Sequence, residues 1–209
     1  MTSNGGWIDR QLRRRGIDDP RVLAAMAAVP REQFVPEEAR AHAYDDAALA
    51  IGYEQTISQP YVVACICQAL ALQSGETVLD VGTGSGYQAA VLAELGGRVV
   101  SIERVEALAL RARESLAAAG YAGVEVLVGD GSLGVPGRAP FAAIAVAAAA
   151  RRPPPSLLVQ LAEEGRIVLP LGGRRGQRLT LIERLGADLV ASRVADVRFV
   201  PLRGAEGVR

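Results

Sequence analysis

A doubly wound α/β fold with a mostly parallel seven-stranded sheet is what this sequence predicts, and three observations predict it. From Thr77 onward, short β-branched apolar runs alternate with helix-length segments. The runs are apolar on both sides, so both faces of each strand need cover. The stretch "VLDVGTGSGYQAAVLAEL", Val78–Leu95, leaves the first run through three glycines at every second position and passes straight into a helical period. Apolar strands alternating with helices give a parallel sheet with helices packed on it.

Taken in order, the first sixty residues read as helical and polar-faced. "WIDRQLRRRG" carries charges on most sides and stops at Gly16; its arginine cluster, in a helix among acids, reads as a solvated face. "DDPRVLAAMAAVP" opens with Asp ahead of Pro20 and closes at Pro30, and "PEEARAHAY" gives another short helix. "QPYVVACICQALALQ" is a buried helix opened by Pro60. Strands follow at 77–81, 98–102, 124–128, 141–146 and 165–171, with "YQAAVLAELG", "RVEALALRARESLAAAG" and "PPPSLLVQLAEEG" as the helices between them. "QRLTLIERL" and "LVASRVADVRFVPL" then alternate in strand fashion with only "GAD" between them. That gap is too short for a crossover, so the two pair as an antiparallel hairpin. One domain over 1–209 results, with a helical cap and substrate-side segment at 1–58, an α/β core at 59–171 and the hairpin at 172–209.

Composition removes several function classes. Lys plus Arg equals Asp plus Glu at 23 each, so no global basic field draws in nucleic acid. No apolar run reaches the ~20 residues of a membrane span, and "MTSNGGWIDR" lacks the charged-then-apolar order of a signal peptide. A cytoplasmic protein is expected, with no membrane or nucleic-acid partner. Cys65 and Cys67 sit two apart on a helix, point about 200° from each other and read as small buried side chains. With no second Cys/His pair, no metal site is expected. His42, the only histidine, reads as a surface residue.

The glycine loop "DVGTGSG" carries the chemistry. At the carboxyl end of a strand, its N–H groups and the helix N-terminus are expected to face a ligand. A phosphate-gripping loop needs Lys then Ser or Thr after its last glycine, but Gly86 is followed by Tyr87 and Gln88. A dinucleotide loop needs a small residue where Tyr87 falls. S-adenosylmethionine, with an ammonium, a sulfonium and no phosphate, suits the remaining facts. Asp80 at the strand end would oppose a pyrophosphate and favour those cations. Gly82, Gly84 and Gly86 permit close backbone approach. Glu103 after the second strand is placed to accept from ribose hydroxyls, which does not separate this cofactor from a nicotinamide one. Asp130, in "VLVGDGS" after the third, is placed to accept from an adenine amino group.

With these residues in view, the chain resembles bacterial protein-L-isoaspartate O-methyltransferases. The resemblance rests on "QLRRRGIDDPRVLAAMAAVPREQFVPE", "IGYEQTISQPYVVA", "ETVLDVGTGSGYQAAVLAEL", "VEVLVGDGSLG" and "VRFVPL", and runs from about Gln11 to Leu202. It implies a Rossmann-like methyltransferase sheet. It also implies methyl transfer from S-adenosyl-L-methionine, leaving S-adenosyl-L-homocysteine, to the α-carboxylate of L-isoaspartyl and D-aspartyl residues in damaged proteins; the ester then closes to a succinimide and repair begins. By the same resemblance Ser58 in "TISQP" is the active-site hydroxyl, and Gln55, Thr56 and Ile57 line the substrate wall. Asp80, Gly82, Thr83, Gly84, Ser85, Gly86, Glu103, Asp130 and Gly131 hold the cofactor. On the residues alone, Ser58 reads first as a cap for the helix that begins at Pro60, ahead of a substrate role.

Departures from the family pattern cluster on the substrate side. Glu54 stands where the family commonly has glycine, and Ala142 where it has an acid. Ala147 and Arg151 replace a threonine and a proline. Arg151 could clamp a carboxylate or stand solvated in a loop. These changes keep a second reading open, an O-methyltransferase acting on aspartyl side chains of one dedicated peptide. Tyr87 and the lack of an assignable proton donor argue against a nicotinamide oxidoreductase, and a non-catalytic S-adenosylmethionine binder would have no use for "TISQP".

Overall fold

The computed structural model describes residues 5–173 and 176–208. Residues 1–4 of the stretch read as lacking a leader, Arg174 and Arg175 ahead of the C-terminal hairpin, and Arg209 lie outside the described residues.

Strands β3 (Thr77–Val81), β4 (Arg98–Glu103), β5 (Glu125–Val128), β6 (Phe141–Val146) and β7 (Leu161–Gly173) join β8 (Gly176–Leu185) and β9 (Asp188–Val197) in one sheet, ordered β5-β4-β3-β6-β7-β8-β9. The first five run parallel; β8 and β9 are antiparallel additions. Successive connections leave β3 in one direction and β6 in the other, so the order reverses between them. A crevice opens above the carboxyl ends at that point.

Alternation along β3 and β4 divides two cores. Val78 and Val99 join the cluster under α3 (Pro60–Leu70), α4 (Tyr87–Glu94) and α5 (Glu106–Ala118), while Leu79, Val81, Val100 and Ile102 join the opposite one. Trp7, Leu12, Val22, Met26 and Phe34 from the N-terminal segment pack into the first cluster. Cys65 and Cys67 are free and buried within α3.

Several expectations are corrected. The N-terminal segment is not one helix. It begins as α1 (Gly5–Trp7), passes through a π turn (Ile8–Leu12) and a 3₁₀ turn, and stops at Gly16 with φ +91°. The expected α2 is present over Pro20–Ala28, capped by Asp19, whose side chain accepts from Arg21 N.

A short hairpin, β1 (Leu49–Gly52) and β2 (Gln55–Ile57), lies inside the stretch read as helical. Its two turn residues, Tyr53 and Glu54, both have positive φ (53° and 58°). That is the turn geometry usually announced by Asn-Gly or Asp-Gly, and neither cue is present here.

The helix expected over "PPPSLLVQLAEEG" also stops early: α6 covers only Pro155–Val159, and β7 begins at Leu161. Gln160 ends it by turning inward. Its Nε2 donates to Leu133 O and its Oε1 accepts from Val135 N, tying the chain to the turn after β5.

Candidate active site

The crevice is lined by the loop after β3, the end of β4, Gly131, the residues of β2 with Ser58, Ala147 and Ala148 after β6, and Val200–Arg203. Of the predicted site residues, Gln55, Thr56, Ile57, Ser58, Gly82, Thr83, Gly84, Ser85, Glu103 and Gly131 meet there. Asp80, Gly86 and Asp130 are not among its lining residues.

All three loop glycines need their missing side chain, at φ +93° (Gly82), +54° (Gly84) and +91° (Gly86). The loop's N–H groups, expected to face a ligand, turn inward instead. Gly82 N and Thr83 N donate to Ile102 O, Gly84 N donates to Glu103 Oε2 (2.9 Å), and Gly86 N donates to Thr83 O. Donors already committed in this way leave little for a phosphate to bind.

Asp80 is corrected most. It has no exposed surface, and it sits below the loop rather than at its edge. Gln88 Nε2 donates to its Oδ1 (2.7 Å) and Ser101 Oγ donates to its Oδ2 (2.6 Å). With Ser101 so engaged, Thr83 Oγ1 donates to Ser101 Oγ (2.5 Å). The result is a buried line, Thr83–Ser101–Asp80–Gln88, bracing loop, β4 and α4 together. The reason lies in the alternation: Asp80 and Ser101 point to the helix-covered face with Val78 and Val99. Burial pushes the Asp80 carboxyl up from 3.8 to about 6, opposed by the hydrogen bonds from Ser101 and Gln88, with the Glu103 charge adding to the rise.

Glu103 reaches the crevice, where its Oε2 holds Gly84 N and its Oε1 accepts from Val105 N. Each oxygen keeps a lone pair for a ribose hydroxyl. Asp130 faces elsewhere. Its Oδ1 accepts from Ser132 N and Oγ, and its Oδ2 from Ala205 N (2.7 Å). Burial acts to raise its pKa, but the donors at Ala205 and Ser132 hold the carboxyl below its ordinary value. The C-terminal segment thus occupies the carboxylate expected to meet an adenine amino group.

The opposite wall is the β1–β2 hairpin. Arg111 on α5 pins it: Nη2 donates to Ile51 O (2.5 Å) and the guanidinium lies 5.5 Å from the Tyr53 ring. Ser58 follows β2. Gln59, not Ser58, is the N-cap of α3, and no side chain caps that helix. Ala147 also lines the crevice, with its N–H donating to Val81 O (2.8 Å) next to the glycine loop, whereas Arg151 is exposed outside the lining. His42 is exposed and pairs with Asp45. Among the described residues no cluster of three or more His, Cys, Asp or Glu side chains could hold a metal ion.

Sequence reasoning missed Gln88 and Val200–Arg203. Gln88 Oε1 is buried without a partner, and its residue lines the crevice. An unmet acceptor, a carboxylate at the rim and a loop with most of its N–H donors engaged together fit a cationic cofactor bearing a ribose. The signal for Gln88 was available, since eight positions after a strand acid it falls on the first turn of the next helix.

A family model described as protein-L-isoaspartate(D-aspartate) O-methyltransferase matches residues 6–207. The protein-L-isoaspartate O-methyltransferase 1 of Rhodopseudomonas palustris (strain HaA2) is 53% identical over 202 residues, covering 96% of this chain and 82% of that one. A solved protein-L-isoaspartate O-methyltransferase superposes with a TM-score of 0.86 at 28% identity, over 97% of this chain and 66% of that one. A Plasmodium falciparum protein-L-isoaspartate O-methyltransferase in complex with S-adenosyl-L-homocysteine superposes with a TM-score of 0.84 at 26% identity, over 97% of this chain and 99% of that one.

Proposed function

This chain belongs to the protein-L-isoaspartate(D-aspartate) O-methyltransferase family, and from that premise we infer how its crevice works. The enzyme transfers the methyl group of S-adenosylmethionine to the α-carboxylate of L-isoaspartyl residues in damaged proteins, which starts their repair. One observation carries the site assignment. The glycine loop with Glu103 and the "TISQP" wall with Ser58 face each other across one crevice at the reversal of strand order.

When bound, the cofactor supplies an electrophilic methyl carbon on a sulfonium. Glu103 would receive the ribose hydroxyls, and Gly82 and Gly84 would admit the methionyl portion against bare backbone. Gln88 Oε1 offers an acceptor for its ammonium. The acceptor carboxylate is ionised at neutral pH, so no side chain needs to remove a proton. What remains is alignment and the exclusion of water, served by the hairpin and the Val200–Arg203 segment. Ser58 Oγ would donate to one oxygen of the acceptor carboxylate and so orient the group within the crevice.

Partners on this reading are proteins or peptides carrying isoaspartyl residues. No helix among the described residues is long and apolar enough to cross a membrane; a cytoplasmic location is part of the proposal, and cell fractionation would check it. Methyl transfer from labelled S-adenosylmethionine to an isoaspartyl peptide, run beside its aspartyl twin, tests the activity. Strong preference for the isoaspartyl form is expected. Preference for the aspartyl form would move the protein to the dedicated-peptide reading.

A further inference from the structure

Among the described residues Arg31 is the only arginine or lysine with no exposed surface, and it lies outside the crevice lining. It opens the 3₁₀ turn Arg31–Phe34 directly after Pro30. Its Nε donates to Ala43 O (2.7 Å) and its Nη2 donates to Ser58 O (2.7 Å), while Nη1 is buried without a partner. Its guanidinium lies 4.7 Å from the centroid of the Tyr87 ring. No carboxylate among the described residues forms an ion pair with it; Glu32, its neighbour in sequence, accepts from Tyr44 OH instead.

A buried cation without a counter-charge is costly, and filling space beside the Tyr87 ring does not require one. Burial lowers its pKa to about 10, so it remains charged at neutral pH and cannot release its partners by losing a proton. The planar fork grips two carbonyls at a fixed spacing. One belongs to the N-terminal segment and the other to Ser58. Pairing of β2 with β1 ends at Ile57, one residue short of Ser58. The carbonyl of Ser58 is therefore held from outside the hairpin, and the orientation of its peptide plane helps set where Oγ points.

We propose that Arg31 is a positioning residue of the acceptor site, clamping the Ser58 carbonyl so that the Ser58 hydroxyl faces the acceptor carboxylate. The inference rests on the role given to Ser58 above. It assigns Arg31 no contact with substrate or cofactor.

A double-mutant cycle tests it, using isoaspartyl-peptide methylation as the rate and calorimetric titration of S-adenosyl-L-homocysteine as the control. Arg31→Met is expected to lower kcat about tenfold or more, because small misplacements of a positioned group are amplified in rate. The Kd for S-adenosyl-L-homocysteine should stay within about twofold of wild type. In a Ser58→Ala background the same change should lower kcat by less than about twofold, because the hydroxyl it positions is gone. Arg31→Lys, which keeps the charge but not the fork, should fall between.

An equal loss from Arg31→Met in both backgrounds would overturn the proposal, as would an unchanged kcat or a parallel loss of cofactor affinity. If Arg31→Met does not fold, Arg31→Lys carries the same comparison; failure of both to fold would make Arg31 a residue of the fold and overturn the proposal. A wild type inactive on the isoaspartyl peptide would instead sink the reading of the site itself.

Discussion

On the cofactor side of the crevice four buried polar side chains, Thr83, Ser101, Asp80 and Gln88, form an unbroken hydrogen-bonded line beneath the loop. Across the gap Ser58 follows a three-residue strand and depends on a distant arginine for its carbonyl. The first wall is part of the sheet, in register with β3 and β4. The second is laid over the sheet by a hairpin and the segments flanking it. On the proposed reading the loop forms the cofactor wall and the hairpin the acceptor wall. The departures noted in sequence divide between the two: Glu54 is on the hairpin turn, whereas Ala142 lies within β6 and Ala147 follows that strand, against the glycine loop.

Changes on the two walls should therefore have different signatures. The largest concerns Asp80, whose folded pKa of about 6 exceeds its ordinary 3.8. The folded protein binds this proton more tightly than the unfolded chain. This group's stabilising contribution is thus complete below about pH 4 and is lost as pH rises through about 6, a fall of about 3 kcal/mol. Asp80→Asn should remove that fall. Urea unfolding of both proteins across the window would show the two stability curves converging or crossing; curves that stay parallel would remove Asp80 from the titration.

Ser58→Ala should cut kcat for the isoaspartyl peptide about 10- to 100-fold, the worth of one hydrogen bond to a charged acceptor. Cofactor affinity should not move. A variant of undiminished rate would take Ser58 out of the mechanism.

Gly86→Ala forces a side chain into φ +91° with its Cβ 3.1 Å from Leu116 Cγ. A loss of about 1–2 kcal/mol in stability is expected, with cofactor affinity falling alongside it. Calorimetry and thermal melting measure both, and an unaltered melting temperature would contradict the strain.

Glu54→Gly is the smallest effect. Relief of φ +58° outweighs the added freedom of the unfolded chain, leaving a gain of about 0.5–1 kcal/mol. A melting temperature that drops would show that the Glu54 side chain contributes more than its backbone costs.

The wall built into the sheet was the legible one. Apolar runs and glycine spacing placed β3, the loop and α4, and the position of Glu103 at the end of β4 followed directly. Asp80 was assigned to the right place but the wrong direction. Its neighbours Leu79 and Val81 are both buried in the opposite cluster, so alternation alone would have turned it toward α4, but an acid beside a ligand loop invited a ligand role first. The hairpin was illegible because two short strands bury little, and Tyr53–Glu54 carries no turn cue. The early end of α6 was hidden in the same way. "LLVQLAEEG" keeps a helical period, and only the pairing of Leu161 with Phe141 and the inward turn of Gln160 override it. The Asp130 contact with Ala205 joins residues 75 apart, which no local pattern encodes.

The central claim is that one crevice brings a cofactor sulfur and an acceptor carboxylate together between these unlike walls. A crystal structure of the protein with S-adenosyl-L-homocysteine and an isoaspartyl peptide measures it directly. The expected result is ribose at Glu103, the thioether over Gly82–Gly84, and the peptide carboxylate within hydrogen-bonding distance of Ser58 Oγ. A carboxylate bound away from Ser58, or a cofactor bound anywhere but this loop, would contradict it.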